Sequence, residues 1–235
     1  MAFHFKQFSV AQDQCGMKVT TDACILGAFA HHQNPIKILD IGTGTGLLSL
    51  MLAQRYPEAE VHAIEVDLKA FQQAKENFSN SPFSDRLHIH HGTIQDFAIN
   101  ASHTFDLIAV NPPFFPDHLK STDEARRKAF HNDLLPFNEL AASIRLLLAP
   151  QGLCHILLPK TQCDWIELDM IVEQLFIQET LVIYPKEGAH NPRQINVFGK
   201  NAGFHYRRHS LTIKQPNDQY TSEMVNLMRP FYKNI

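Results

Sequence analysis

The chain has 235 residues, 44% of them hydrophobic and 19% charged, with a formal net charge of −3; this excludes intrinsic disorder and fits one large domain. The longest apolar stretch, Leu47 to Ala53, is interrupted by Ser49 and falls far short of the ~20 residues that span a bilayer. The opening MAFHFKQFSV lacks a continuous apolar core and a small-residue cleavage site, and the four cysteines (Cys15, Cys24, Cys154, Cys163) form no Cys-x-x-Cys pair, so a cytoplasmic chain with free thiols is expected.

In chain order, residues 1–35 form an N-terminal extension, helical in part and too short to be a domain. Short β-branched runs then alternate with helical patterns: Ile36–Ile41, Glu60–Val66, Leu87–His91, Phe105–Val110 and Gly152–Pro159 are expected strands. Leu47, Leu48, Met51 and Leu52 share one face of a helix, as do Ala70, Ala74 and Phe78 of the next. Beyond Pro159 follow a helix (Trp165–Phe176), a strand (Glu179–Tyr184), an Asn-Pro turn and a strand (Gln194–Phe198). Residues 200–235 add a strand within Phe204–Ile213 and a closing helix over Tyr220–Phe231. Such alternation specifies an α/β fold, a mostly parallel sheet with helices on both faces and an antiparallel end. No repeat or linker divides residues 1–235, so a single domain is expected. Residues 1–119 carry a net −5 and residues 120–235 a net +2, which directs any polyanion to the second half.

The densest signal is Asp40-Ile-Gly42-Thr-Gly44-Thr-Gly46-Leu, between the first strand and its helix. Glycines there admit a positive φ and close approach of a ligand, and the helix behind them presents N–H groups. The spacing departs from the dinucleotide pattern Gly-x-Gly-x-x-Gly, because Leu47 stands where the third glycine belongs. Asp40 repels a pyrophosphate and suits an ammonium group. Glu65, at the tip of the second strand, is placed to accept from ribose hydroxyls. An ammonium at one end and a ribose at the other describe S-adenosylmethionine better than NAD.

Asn111-Pro112-Pro113-Phe114 follows the fourth strand directly, at the end where an open α/β sheet holds its ligands. The two prolines stiffen the turn. An exocyclic amine or amide nitrogen is a poor nucleophile because its lone pair is delocalised. Acceptance of its hydrogens by the Asn111 side-chain oxygen and the Pro112 carbonyl lets it pyramidalise toward a sulfonium methyl. Phe114 offers a face on which to stack an extruded base.

On these motifs the chain resembles class I S-adenosylmethionine-dependent methyltransferases with an (N/D)PP(Y/F) motif. More closely, over nearly its whole length, it is similar to the bacterial tRNA1(Val) (adenine37-N6)-methyltransferases. The N-terminal FKQFSVAQD and MKVTTDACILG segments and the closing PNDQYTSE with its final Pro-Phe-Tyr carry that likeness. The resemblance implies a Rossmann-like sheet of seven strands, with Thr21 and Asp22 near the methionine end of the cofactor and Asp40 near its amino group. It also implies Glu65 on the ribose, Ile94 or a neighbour against the adenine, and Val66 among the cofactor-binding residues. One residue departs from the family: Thr93 stands where an Asp often follows the third strand, leaving Asp96 as the nearest acid. The implied reaction is N6-methylation of adenine 37 in the anticodon loop, with tRNA as partner, no metal, and a monomeric enzyme.

Arg126-Arg127-Lys128 lies in a polar stretch a dozen residues past the NPPF motif, and Arg207-Arg208 in a late strand; both are candidate phosphate contacts. His88, His90 and His91 have no accompanying ligand set and are expected as edge or surface histidines. Related chemistries remain as alternatives. Glutamine-N5 methyltransferases share the NPP turn but carry a helical domain before the glycine loop, where only 39 residues precede Asp40. Guanine-N2 RNA methyltransferases often duplicate the fold. A non-catalytic RNA-binding protein would be more basic and would dispense with Asn111 or a loop glycine.

Overall fold

A computed structural model describes residues 2–13, 18–112, 135–203 and 205–235. The chain opens with a β-hairpin, β1 (Ala2–His4) and β2 (Ser9–Ala11), followed by α1 (Thr21–Phe29). The sheet that organises the molecule comprises β3 (Lys37–Ile41), β4 (Glu60–Glu65), β5 (Leu87–His91), β6 (Phe105–Val110), β7 (Leu148–Pro159), β8 (Phe176–Lys186), β9 (Arg193–Gly199) and β10 (Arg207–Lys214). Its helices are α2 (Leu47–Arg55), α3 (Leu68–Ser79), α4 (Ile94–Asn100), α5 (Phe137–Leu147), α6 (Lys160–Val172) and α7 (Ser222–Met228).

The strands lie in the order β10-β8-β9-β7-β6-β3-β4-β5, and among these described strands β9 alone runs antiparallel to its neighbours. This is the expected mostly parallel α/β sheet with an antiparallel end. The seven strands implied by the resemblance are joined by an eighth, β10, which adds in parallel to the outer edge of β8. The alternation of side chains sorts the core onto two faces. Ile38, Leu107 and Ala109 pack under α1 and α2, whereas Leu39, Ile41, Ile108 and Val110 pack under α4, α5 and α6.

Helix α2 is buried from Leu47 to Ala53. Helix α3 is amphipathic and buries Ala70, Ala74 and Phe78, as its spacing dictates. Several boundaries differ from the sequence expectation: β7 begins earlier, at Leu148, and β8 runs longer at both ends, from Phe176 to Lys186. The extension, expected to be helical in part, opens instead with the hairpin; its strands are only three residues long and depend on tertiary anchors, with Phe5 stacked on Phe8 at 4.6 Å and Lys6 N bonded to Phe231 O. Helix α6 starts directly after Pro159 and stops short of Phe176, because Gln174 takes φ 56° and turns the chain into β8. Helix α7 is shorter than Tyr220–Phe231, since the Thr221 hydroxyl caps it by accepting from Met224 N.

Candidate active site

Strands β4, β3 and β6 are neighbours, with Asp40 beside Ala63 on one side and Ala109 on the other. Their carboxyl ends therefore bring the glycine loop, Glu65 and Asn111 to one edge of the sheet. The loop is anchored where Gly42 N and Thr43 N both donate to Ile64 O, at 2.9 and 3.1 Å. Gly46 takes φ 84°, and a Cβ there would meet the Phe78 ring at 2.5 Å. Gly44 also has a positive φ, but a Cβ there would meet nothing within 4 Å. Gly46 thus serves packing and backbone together, while Gly44, like Gly42, leaves open space beside the backbone.

Asp40 is completely buried beneath this loop. Its Oδ2 accepts from Thr43 Oγ1 (2.6 Å), Ser49 Oγ (2.8 Å) and Ser49 N (3.1 Å), while Oδ1 has no hydrogen-bond partner among the described residues. Desolvation pushes its carboxyl up to about 6 against the lowering effect of the Thr43 and Ser49 hydrogen bonds. Glu65 Oε2 accepts from Gly44 N at 2.8 Å, and Oε1 accepts from Val66 N and Asp67 N, both at 2.9 Å. Val66 beside it is 64% exposed, and Ile94 opens α4 buried.

Thr93 has a local role. Its hydroxyl accepts from Asp96 N and donates to Asp96 Oδ2 at 2.7 Å, so both side chains form the α4 cap. Asn111 follows β6 half-buried, with Oδ1 lacking a hydrogen-bond partner among the described residues; Pro112 beside it is buried. Thr21 and Asp22 open α1, and Asp22 Oδ2 lies 3.4 Å from Arg193 Nε. Because β9 is antiparallel, Arg193 at its head stands opposite Pro159 and Ile183, at the same end of the sheet as the glycine loop. Arg193 belongs to none of the sequence motifs; the Asn191-Pro192 turn just before it is its one local signal.

The molecule's relatives agree with this architecture. A family model described as methyltransferase small domain matches residues 22–132. A protein from Flavobacterium psychrophilum named tRNA1(Val) (adenine(37)-N6)-methyltransferase is 39% identical, with 98% of each chain covered. A Shewanella frigidimarina protein of the same name is 38% identical over the full length of both chains. The chain belongs to the tRNA1(Val) (adenine(37)-N6)-methyltransferase family. Among solved structures, a predicted O-methyltransferase from Agrobacterium tumefaciens superposes with a TM-score of 0.66 at 17% identity, covering 92% of this chain and 100% of that one. TrmN from Thermus thermophilus gives 0.58 at 18% identity, covering 76% of this chain and 48% of that one. Both likenesses establish the methyltransferase fold.

Other candidate residues of this family member fall elsewhere. Arg207 pairs with Glu179, beside which it stands in register. Glu179 is 4% exposed and also faces His209 at 3.3 Å and His31 at 3.6 Å. Since β10 runs parallel to β8, Arg207 and Arg208 lie at the amino ends of the strands, opposite the glycine loop, and Arg207 serves a desolvated carboxylate. They do not join the site. A surface cavity of about 360 Å³ there, bordered by Lys200, Gln178 and Arg207, is equally remote from it. His88 and His90 pack with His62 and His103 along the β4–β5 edge, where His62 Nδ1 and His90 Nε2 are 3.2 Å apart. Pro113, Phe114, Arg126, Arg127 and Lys128 lie outside the described residues. No described helix is long and apolar enough to cross a membrane.

Proposed function

We propose that this chain methylates the N6 amino group of adenine 37 in the anticodon loop of tRNA1(Val), with S-adenosylmethionine as methyl donor. The observation that carries the reading is the Asn111 Oδ1, without a hydrogen-bond partner among the described residues, at the carboxyl end of β6, one strand from a glycine loop that leaves open space. Full-length relatives named for that reaction support the substrate.

The residues present fit the cofactor. The buried Oδ1 of Asp40, which no described residue bonds, suits the field of an ammonium group, and the bare backbone at Gly42 and Gly44 admits close approach. Glu65, Val66 and Ile94 are assigned to the adenosine end, Thr21 and Asp22 to the methionine end. When bound, S-adenosylmethionine supplies an electrophilic sulfonium methyl. Asn111 Oδ1 accepts one N–H of the adenine amine and the Pro112 carbonyl accepts the other, which draws the nitrogen out of conjugation and aims its lone pair. Positioning and electrostatics of this kind need no strong base; the released proton passes to solvent. Phe114 is assigned to stack the base, and Arg126, Arg127 and Lys128 to phosphates of the loop. A single-stranded loop base suits this chemistry because little stacking is lost on exposing it.

The test is nucleoside mass spectrometry of purified valine tRNA from a deletion strain and its parent. N6-methyladenosine should disappear from position 37 in the deletion strain and return with the wild-type gene but not with Asn111→Ala. Unchanged methylation in the deletion strain contradicts the reading.

A further inference from the structure

The buried face of α3 carries two amides, Gln73 and Asn77. Between Ala74 and Phe78 stands Asn77, only 3% exposed. A buried amide is costly unless every polar atom is satisfied, and here each is. Nδ2 donates to Thr45 O at 2.8 Å and to Ala11 O at 2.9 Å, and Oδ1 accepts from Ala11 N at 2.9 Å. Both hydrogens of the amide are thereby used.

These bonds join two segments that no regular element connects. Toward Ala11 the amide behaves as a strand partner, taking both backbone groups of the last residue of β2. Toward Thr45 it holds the carbonyl at the tip of the glycine loop, while Glu65 holds the preceding residue through Gly44 N at 2.8 Å. The Gly44–Thr45 unit is therefore gripped from β4 on one side and from α3 on the other. Beyond Ala11 the chain continues to Gln12, whose Oε1 accepts from Val19 N at 2.8 Å, and so toward the cap of α1.

We infer that Asn77 is a positioning residue for cofactor binding, holding the glycine loop in its receptive shape and fixing the N-terminal extension against it. It acts through Thr45 and Ala11 and touches no reacting atom. The inference rests on the functional reading above and extends it to a residue outside every motif. It also gives β2 a second purpose: beyond burying Val10 in the core, the strand sets where the path to Thr21 and Asp22 begins.

The experiment is calorimetric titration of S-adenosylmethionine into wild-type protein, Asn77→Ala and Asn77→Asp, each well below its own melting midpoint. Asn77→Asp keeps the volume and the acceptor for Ala11 N but replaces both donated bonds with carboxylate against carbonyl. Both variants should raise Kd by about tenfold, the order expected when buried polar groups lose their partners. kcat at saturating cofactor should stay within about threefold, so the loss appears in the cofactor KM. Combined with Glu65→Gln, which loosens the same loop unit, the effects should be smaller than the product of the single ones. A merely structural asparagine would lower the melting midpoint and leave Kd unchanged. A Kd within twofold of wild type in whichever variant folds overturns the inference. Absence of binding by the wild-type protein would overturn the functional reading, and this inference with it.

Discussion

Asn111 and Asp40 are each left with an oxygen that no described residue satisfies, and each yields a measurable consequence. Asn111→Ala should reduce methyl transfer by about 10²–10³, by analogy with loss of one oxyanion donor, while the Kd for S-adenosylmethionine stays nearly constant. Rapid-quench transfer assays beside calorimetry separate the two, and more than a tenth of wild-type activity would reduce the NPPF turn to a structural role. For Asp40, burial raises the carboxyl to about 6. In the free protein this favours the protonated form, so its contribution to stability is present below the unfolded value near 3.8 and is lost as pH rises through 6. An ammonium ligand needs the ionised form. Cofactor affinity should therefore fall by up to tenfold per unit below pH about 6, and Asp40→Asn should flatten that slope while weakening binding. A slope unchanged in the variant would assign the titration to another group.

Elements show where local pattern sufficed and where it failed. The strand-loop-helix unit of β3 and α2 was legible because Asp40-x-Gly-x-Gly-x-Gly leaves the backbone few alternatives; Gly46 illustrates it. Gly46→Ala should cost about 1–3 kcal/mol from overpacking against Phe78 together with an unfavourable positive φ, whereas Gly44→Ala, with open space, should cost only about 1 kcal/mol. Equal thermal shifts for the two would contradict the packing argument. Thr93 and Asp96 were legible only as a departure from a family pattern; in place they make a helix cap. On the β4–β5 edge, His88 and His90 stand on the edge strand as expected, but their packing with His62 and His103 was not legible, because the histidines come from three separate segments. Burial first, then the neighbouring charges of His88, His90, His103 and Lys37, lower His62 to about 4, with Glu60 3.9 Å away. The folded state thus binds fewer protons than the unfolded one, and stability should fall as pH drops from 6.5 toward 4. Urea melts across that range should show a shallower fall for His62→Gln; an identical fall would place the titration elsewhere.

At the scale of the whole molecule, sequence alone separated an acidic first half from a basic second half, but charge along a chain does not say which end of a sheet a residue reaches. Arg207 looked like a phosphate contact because its strand is exposed and basic; the parallel pairing of β10 with β8 sends it to the amino ends, where Glu179 requires it. Arg207→Ala should cost about 1–3 kcal/mol of stability through the exposed need of a buried carboxylate and leave the salt dependence of tRNA binding unchanged. Neutralising Arg126, Arg127 and Lys128 should instead flatten that dependence by about 0.7–0.9 per lost contact. The reverse outcome would move the RNA to the opposite end of the sheet. The central claim, transfer to one amine of one nucleotide, is tested most directly with purified enzyme, labelled S-adenosylmethionine and two tRNA1(Val) transcripts that differ only in carrying adenine or guanine at position 37. The account predicts stoichiometric N6-methylation of the adenine transcript and none of the guanine transcript; equal labelling of both, or of neither, would contradict it.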